Sequence, residues 1–109
     1  MTSGDILLAG LDPTVGREQG GRRPVVVVSA PRYSEIPDRF LAVPLTSTQR
    51  GLVHHVTVPA DRTTGLDRVS YAMTEQVRVL SRQRIVRKLG SIGPQRLAEI
   101  SHYLHLFIA

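Results

Sequence analysis

A mainly β (α+β) chain, with strands curled into a barrel and closed off by one C-terminal helix, is the fold that these 109 residues predict. Three observations lead there. The apolar runs are short and closely spaced, which favours antiparallel neighbours in a compact, strongly bent barrel, because a parallel crossover needs about a dozen residues or more. Val25-Val-Val-Val28 is an unbroken β-branched run, the mark of a strand buried on both faces. The period then changes at the C-terminus, where Leu97, Ile100, Leu104 and Phe107 recur at helical spacing after Gly93-Pro94. Proline is comfortable in the first turn of a helix.

Each element follows in order. Ile6–Ala9 is a short first strand ended by Gly10, and residues 12–22 form a long loop with Pro13, Gly16, Gly20 and Gly21. Pro24–Ser29 is the second strand and central. Residues 31–39 are a loop, and Phe40–Leu45 is the third strand, in which Pro44 marks an edge or a bulge. Val53–Val58 is a fourth strand ended by Pro59, and residues 61–68 are a loop containing Gly65. Ser70–Thr74 and Val77–Leu80 are further short strands. Arg84–Leu89 extends the sheet, with a short helical turn near Ser81–Arg84 as the alternative. The chain reads as a single domain, 1–109, without repeat, linker or low-complexity segment.

Composition narrows the function. No apolar run approaches the ~18 residues of a membrane span, and Met1–Asp5 does not look like a signal peptide. A cytoplasmic location is the expectation. Cysteine is absent, which excludes disulfides, thiolate catalysis and cysteine metal sites. Lys+Arg total 14 against 9 Asp+Glu, a net charge of +5 that favours a polyanionic partner. Lys88 is the one lysine. Arginine's planar fork grips phosphate at two points where lysine is a point charge, although a GC-rich genome would also enrich arginine.

The residue types that carry chemistry are weak signals one at a time. His54 and His55, as neighbours on a strand, would point to opposite faces and could not share a metal. His102 and His105 stand at i, i+3 on the helix with no third ligand near in sequence, so they read as an exposed face. No metal site is expected. The stretch Ser81–Lys88 is a basic cluster, a solvated face that would add salt-sensitive attraction for a nucleic acid. The loop Gly16–Arg23 lacks the GxxxxGK[ST] pattern and leads into a strand, unlike a nucleotide phosphate loop. It delivers Arg23 to the mouth of the valine strand, a fixed cation suited to an anion. Pro44-Leu-Thr-Ser-Thr48 runs a strand out into hydroxyls, and Glu75-Gln-Val-Arg78 sets polar groups and a cation between strands.

Together these weak signals become specific. Gly4-Asp5, Asp12-Pro13, Gly16-x-Glu18-Gln19-x-Gly21, Arg23-Pro24-Val25, Pro44-Leu-Thr46 and Glu75-Gln76-x-Arg78 stand in the order and at the spacing of the MazF/PemK family of toxin endoribonucleases, which the chain resembles from Gly4 through the C-terminal helix. The resemblance implies an SH3-like barrel of the CcdB/MazF type with a C-terminal helix, a homodimer, and cleavage of single-stranded RNA at selected sequences without a metal or cofactor. It also implies a MazE-like antitoxin that lays an extended peptide across the RNA groove.

Carried over by position, Arg23 matches the family's catalytic arginine and Thr46 its catalytic threonine. Glu18 and Gln19 fall in the loop that gates the site, with Glu18 the acidic candidate for general base and Glu75 the alternative. Ser47, Glu75, Gln76 and Arg78 fall where the family lines its RNA groove. An Arg–Asp pair used by one member corresponds here to Met73 and Glu75: the acid is kept, the cation is not. The implied reaction is in-line attack of the ribose 2′-OH on phosphorus, giving a 2′,3′-cyclic phosphate and a 5′-OH. Two other classes compete. A CcdB-like gyrase-binding toxin shares the barrel but depends on a Trp-containing C-terminal end, and this chain has no Trp. A passive RNA-binding module would stack bases on aromatic side chains, which make up only 5% of the sequence.

Overall fold

The computed structural model describes residues 1–11, 21–29 and 38–108. Among the described residues there are seven strands: β1 (Asp5–Gly10), β2 (Arg22–Val27), β3 (Arg39–Thr46), β4 (His55–Val58), β5 (Ser70–Met73), β6 (Arg78–Ser81) and β7 (Ile85–Ser91), followed by α1 (Pro94–Ile108). Every pairing is antiparallel, in the order β4-β5-β3-β2-β1-β7, with β6 joined to β3. The expected order of short strands and a closing helix is therefore found, with both alternatives for residues 81–89 realised. Arg82–Arg84 is a 3-10 turn in which the Gln83 N–H donates to the Ser81 hydroxyl, and β7 extends the sheet beyond it.

The valine run sits where β-branched side chains are best used. β2 is flanked by β1 and β3, and Val25, Val26 and Val27 are almost wholly buried. Val26 faces one apolar cluster with Ile6, Val43, Leu45, Val56 and Val58. Val25 and Val27 face another with Leu7, Phe40, Ala42 and Leu80. Burial of both faces explains the absence of alternation.

β3 is not an edge strand, contrary to the expectation from Pro44. Along one side it pairs with β2, and Pro44 lies opposite Val25. Along its other side it pairs with β6 through Ala42 and with β5 from Leu45. Pro44 falls where that second side changes partner, a gap in the ladder that tolerates a residue without an N–H. β1 is irregular against β7, with register shifts between Ile6 and Leu7 and between Leu8 and Ala9. Such bulges increase twist and help a short sheet to curl.

The helix packs Ile100, fully buried, with Leu97, Tyr103 and Leu104 against the first cluster. Phe107, the last member of the predicted stripe, is 49% exposed and stands roughly perpendicular to the His54 ring, with the ring centroids 5.6 Å apart. No helix among the described residues is long and apolar enough to cross a membrane.

Candidate active site

β2 begins one residue before Arg23 and pairs Arg23 with Ala9, so its backbone lies within the sheet while its side chain is exposed. The guanidinium donates a long hydrogen bond (3.4 Å) to the Leu45 carbonyl, next to Thr46 at the end of β3. Thr46 is 8% exposed and paired with Tyr71 of β5. Its Oγ1 accepts from the Thr48 N–H at 3.2 Å, which leaves the hydroxyl its own proton to donate. Arg23, Thr46 and Ser47 line one open groove of about 560 Å³, so the structure brings these three candidates together.

The groove is more cationic than the sequence pattern implies. Arg22, Arg68 and Arg87 also line it, and Asp67 is its carboxylate. Arg87 belongs to the basic stretch read as a solvated face. The missing signal was register: Leu8 of β1 lies opposite both Pro24 of β2 and Arg87 of β7, and all three line the groove. Arg68 and Asp67 arrive on the 61–68 loop. Asp61 Oδ1 accepts from the Thr64 N–H, the Thr64 hydroxyl donates to the Pro59 carbonyl, and the Ser91 N–H donates to Thr63, so this wall is braced against β7.

The other candidates go elsewhere. Glu18 and Gln19 lie outside the described residues. Glu75, Gln76 and Arg78 do not line this groove. Arg78 donates to the Leu11 carbonyl at 3.2 Å and Arg84 to the Gly10 carbonyl at 3.5 Å, so two arginines hold the chain where the long loop departs. Glu75 and Gln76 lie in a 3-10 turn, Thr74–Gln76, that was not expected between β5 and β6.

The expectation that His54 and His55 point apart is corrected. β4 starts only at His55, and His54 lies in the preceding turn, where the His55 N–H donates to the Leu52 carbonyl. Strand alternation does not govern the pair, and both Nε2 atoms reach Glu75 Oε1, His54 at 3.2 Å and His55 at 3.1 Å. The buried Thr74 hydroxyl fixes this arrangement by donating to the His54 carbonyl at 2.7 Å.

At Glu75, burial works against the charged carboxylate. Its own backbone N–H, the hydrogen bond from His55 and the charges of His55 and His54 outweigh that, holding its pKa below the ordinary 4.5. A depressed folded-state pKa contributes stability above the unfolded value, lost as pH falls through the folded one. Glu75→Gln should therefore lessen the acid-side fall of Tm below pH 4.5, measured in EDTA, while costing stability at neutral pH. An acid limb identical to the parent's would show that the contacts to Glu75 contribute nothing.

Antiparallel strands bearing an open, arginine-walled groove with a strand-end hydroxyl define a small domain built to hold a polyanion. The family model described as "PemK-like, MazF-like toxin of type II toxin-antitoxin system" matches residues 2–108, and the chain belongs to this family. It is 33% identical to Endoribonuclease EndoA of Bacillus subtilis, over 97% of this chain and 92% of that one. It is 32% identical to the endoribonuclease toxin MazF of Escherichia coli K12, over 96% and 91%. The crystal structure of MazF from Deinococcus radiodurans superposes with a TM-score of 0.81 at 28% identity, covering 99% of this chain and 96% of that one. A MazE-MazF structure from the same organism superposes at 0.79 with 25% identity, covering 100% and 95%. These matches give the gyrase-binding alternative no support.

Thr46→Val keeps the shape of the side chain and removes the hydroxyl. In the catalytic role that the family resemblance implies for Thr46, a donor to the developing oxyanion, loss of that hydroxyl is expected to lower turnover by about 10²-fold or more. Single-turnover cleavage of a short RNA measures it, and an unchanged rate would reduce Thr46 to a strand-end cap.

Proposed function

We propose that the Arg23–Thr46 groove is where this MazF-family toxin endoribonuclease binds single-stranded RNA and cuts it without a metal. The observation that carries the proposal is the meeting of Arg23 with the Thr46 and Ser47 hydroxyls in one open groove walled by three further arginines. Attack by the ribose 2′-OH gathers charge on the non-bridging oxygens of the phosphate. Arg23, held in register by β2, stabilises that charge and hydrogen-bonds the departing 5′-oxygen. Thr46 Oγ1 hydrogen-bonds the phosphate and keeps attacking and leaving oxygens in line. Arg22, Arg68 and Arg87 hold flanking phosphates, and Ser47 contacts the strand beside the cut.

Arginine is a poor base because a guanidinium holds its proton throughout the physiological range, so the 2′-OH proton goes to a carboxylate. Glu18, from the loop entering β2, is assigned that role, and Gln19 contacts the RNA beside it. Glu75, engaged by two imidazoles away from the groove, is the less suited acid. Single strands suit an open groove because their bases can be splayed and read at their edges. The protein acts in the cytoplasm as a homodimer, and a cognate MazE-like antitoxin occludes the groove. A MazE-MazF pair of similar fold supports that partner.

The decisive experiment incubates the full chain with a long natural RNA in EDTA and maps the 5′ ends of the fragments. Discrete cuts with 5′-OH ends are expected. Intact RNA, or cutting that needs an added metal, overturns the proposal.

A further inference from the structure

We propose that His54, His55 and Glu75 form a binding site for a transition-metal dication of the zinc class, separate from the RNA groove. Three potential ligand atoms, one from each residue, lie within 4.8 Å of one another. His54 Nε2 and His55 Nε2 stand 3.2 and 3.1 Å from Glu75 Oε1. Zinc–ligand bonds of about 2.0–2.1 Å in a tetrahedron put neighbouring ligand atoms roughly 3.3–3.4 Å apart. The observed separations are close to two edges of that tetrahedron, so an ion needs only a small opening of the cluster.

The donor chemistry selects the class of metal. Two imidazoles and one carboxylate suit zinc, cobalt, nickel and copper, whereas calcium and magnesium take oxygen ligands. The ligands are also held before any ion arrives. His55 opens β4 with its side chain 3% exposed, and His54 is tied through its carbonyl to Thr74. The Phe107 ring covers His54 from the end of α1. The His54 side chain is 24% exposed, which leaves the fourth position to water.

Among the described residues the buried His55 Nδ1 has no hydrogen-bond partner, so none of them supplies this imidazole with the outer acceptor that usually fixes a ligating ring. Absence of such a partner weakens affinity by about 10–100-fold, which points to a reversible ion. None of the three ligands lines the groove. A bound ion therefore acts by joining the turn before β4 to the 3-10 turn after β5, 20 residues further along the chain.

The test uses the full chain without an affinity tag, stripped with EDTA and desalted. Cobalt(II) is titrated first, followed by zinc. Saturation at one cobalt per chain with a tetrahedral visible spectrum, loss of that spectrum on adding zinc, and a zinc-dependent rise in Tm are expected. His54→Gln and Glu75→Gln should each weaken cobalt binding at least tenfold, and His102→Ala, on the exposed helix face, should leave it unchanged. His54 lies in a turn, so its variant keeps the test valid if a substitution at buried His55 fails to fold. No saturable cobalt spectrum, or one that survives His54→Gln and disappears in His102→Ala, overturns the proposal.

Discussion

Arg23→Ala is expected to lower RNA cleavage by about 10²–10³-fold, the usual effect of removing one preorganised donor to a developing oxyanion, and to leave the fold in place. Its backbone ladder to Ala9 survives the substitution. Among the described residues, the hydrogen bond it gives up, to the Leu45 carbonyl, is long and lies at an exposed side chain. RNA affinity falls far less than turnover, because Arg22, Arg68 and Arg87 remain in the groove. Arg23→Lys recovers only part of the rate, since an ammonium carries the charge without the planar fork that spans two phosphate oxygens. Single-turnover cleavage and equilibrium binding of one RNA, measured side by side, separate the effects. Full cleavage by Arg23→Ala would remove Arg23 from the chemistry, and an equal loss of binding and rate would make it a docking cation.

Arg23 and Thr46 each stand where a buried strand meets a polar segment, and it is the family pattern as a whole, not that position alone, that singles them out in the sequence. Val25–Val27 and Leu45 mark those strands by being apolar where a one-sided strand would alternate. The helical stripe Leu97, Ile100, Leu104 was legible for the same reason, a periodicity imposed by the surface it covers. Arg87 was not, because its partner in the groove is chosen by the β1–β7 register, and two register shifts in that pairing break simple counting. The histidine pair was misread for a local reason. One residue of turn before β4 cancels strand alternation, and the boundary of a four-residue strand is the feature that sequence patterns locate least well. Glu75 then converges on the pair through a 3-10 turn with no apolar pattern of its own.

Gly65→Ala is the substitution expected to cost most stability for the fewest atoms added. Gly65 has φ +70°, and a Cβ built there would fall on the Leu89 carbonyl of β7. That obstacle is backbone, so no side-chain rotation relieves it. The left-handed conformation costs an alanine roughly 1–2 kcal/mol, and forcing an extra carbon into a packed contact costs about 1–3 kcal/mol more. The sum is a large share of the ~5–15 kcal/mol that holds a domain together. Gly51 supplies the control: its φ is +68°, yet a Cβ there meets nothing within 4 Å. Gly51→Ala should thus show the conformational cost alone, and the gap between the two variants measures the contact. At about 4–8 °C per kcal/mol for a domain near this size, Gly65→Ala should melt roughly 10 °C or more below the parent, and well below Gly51→Ala. Gly65 and Leu89 both line the groove, so whatever Gly65→Ala remains folded should also cut RNA more slowly. Equal melting temperatures for the two variants would mean that the 61–68 wall is not seated on β7.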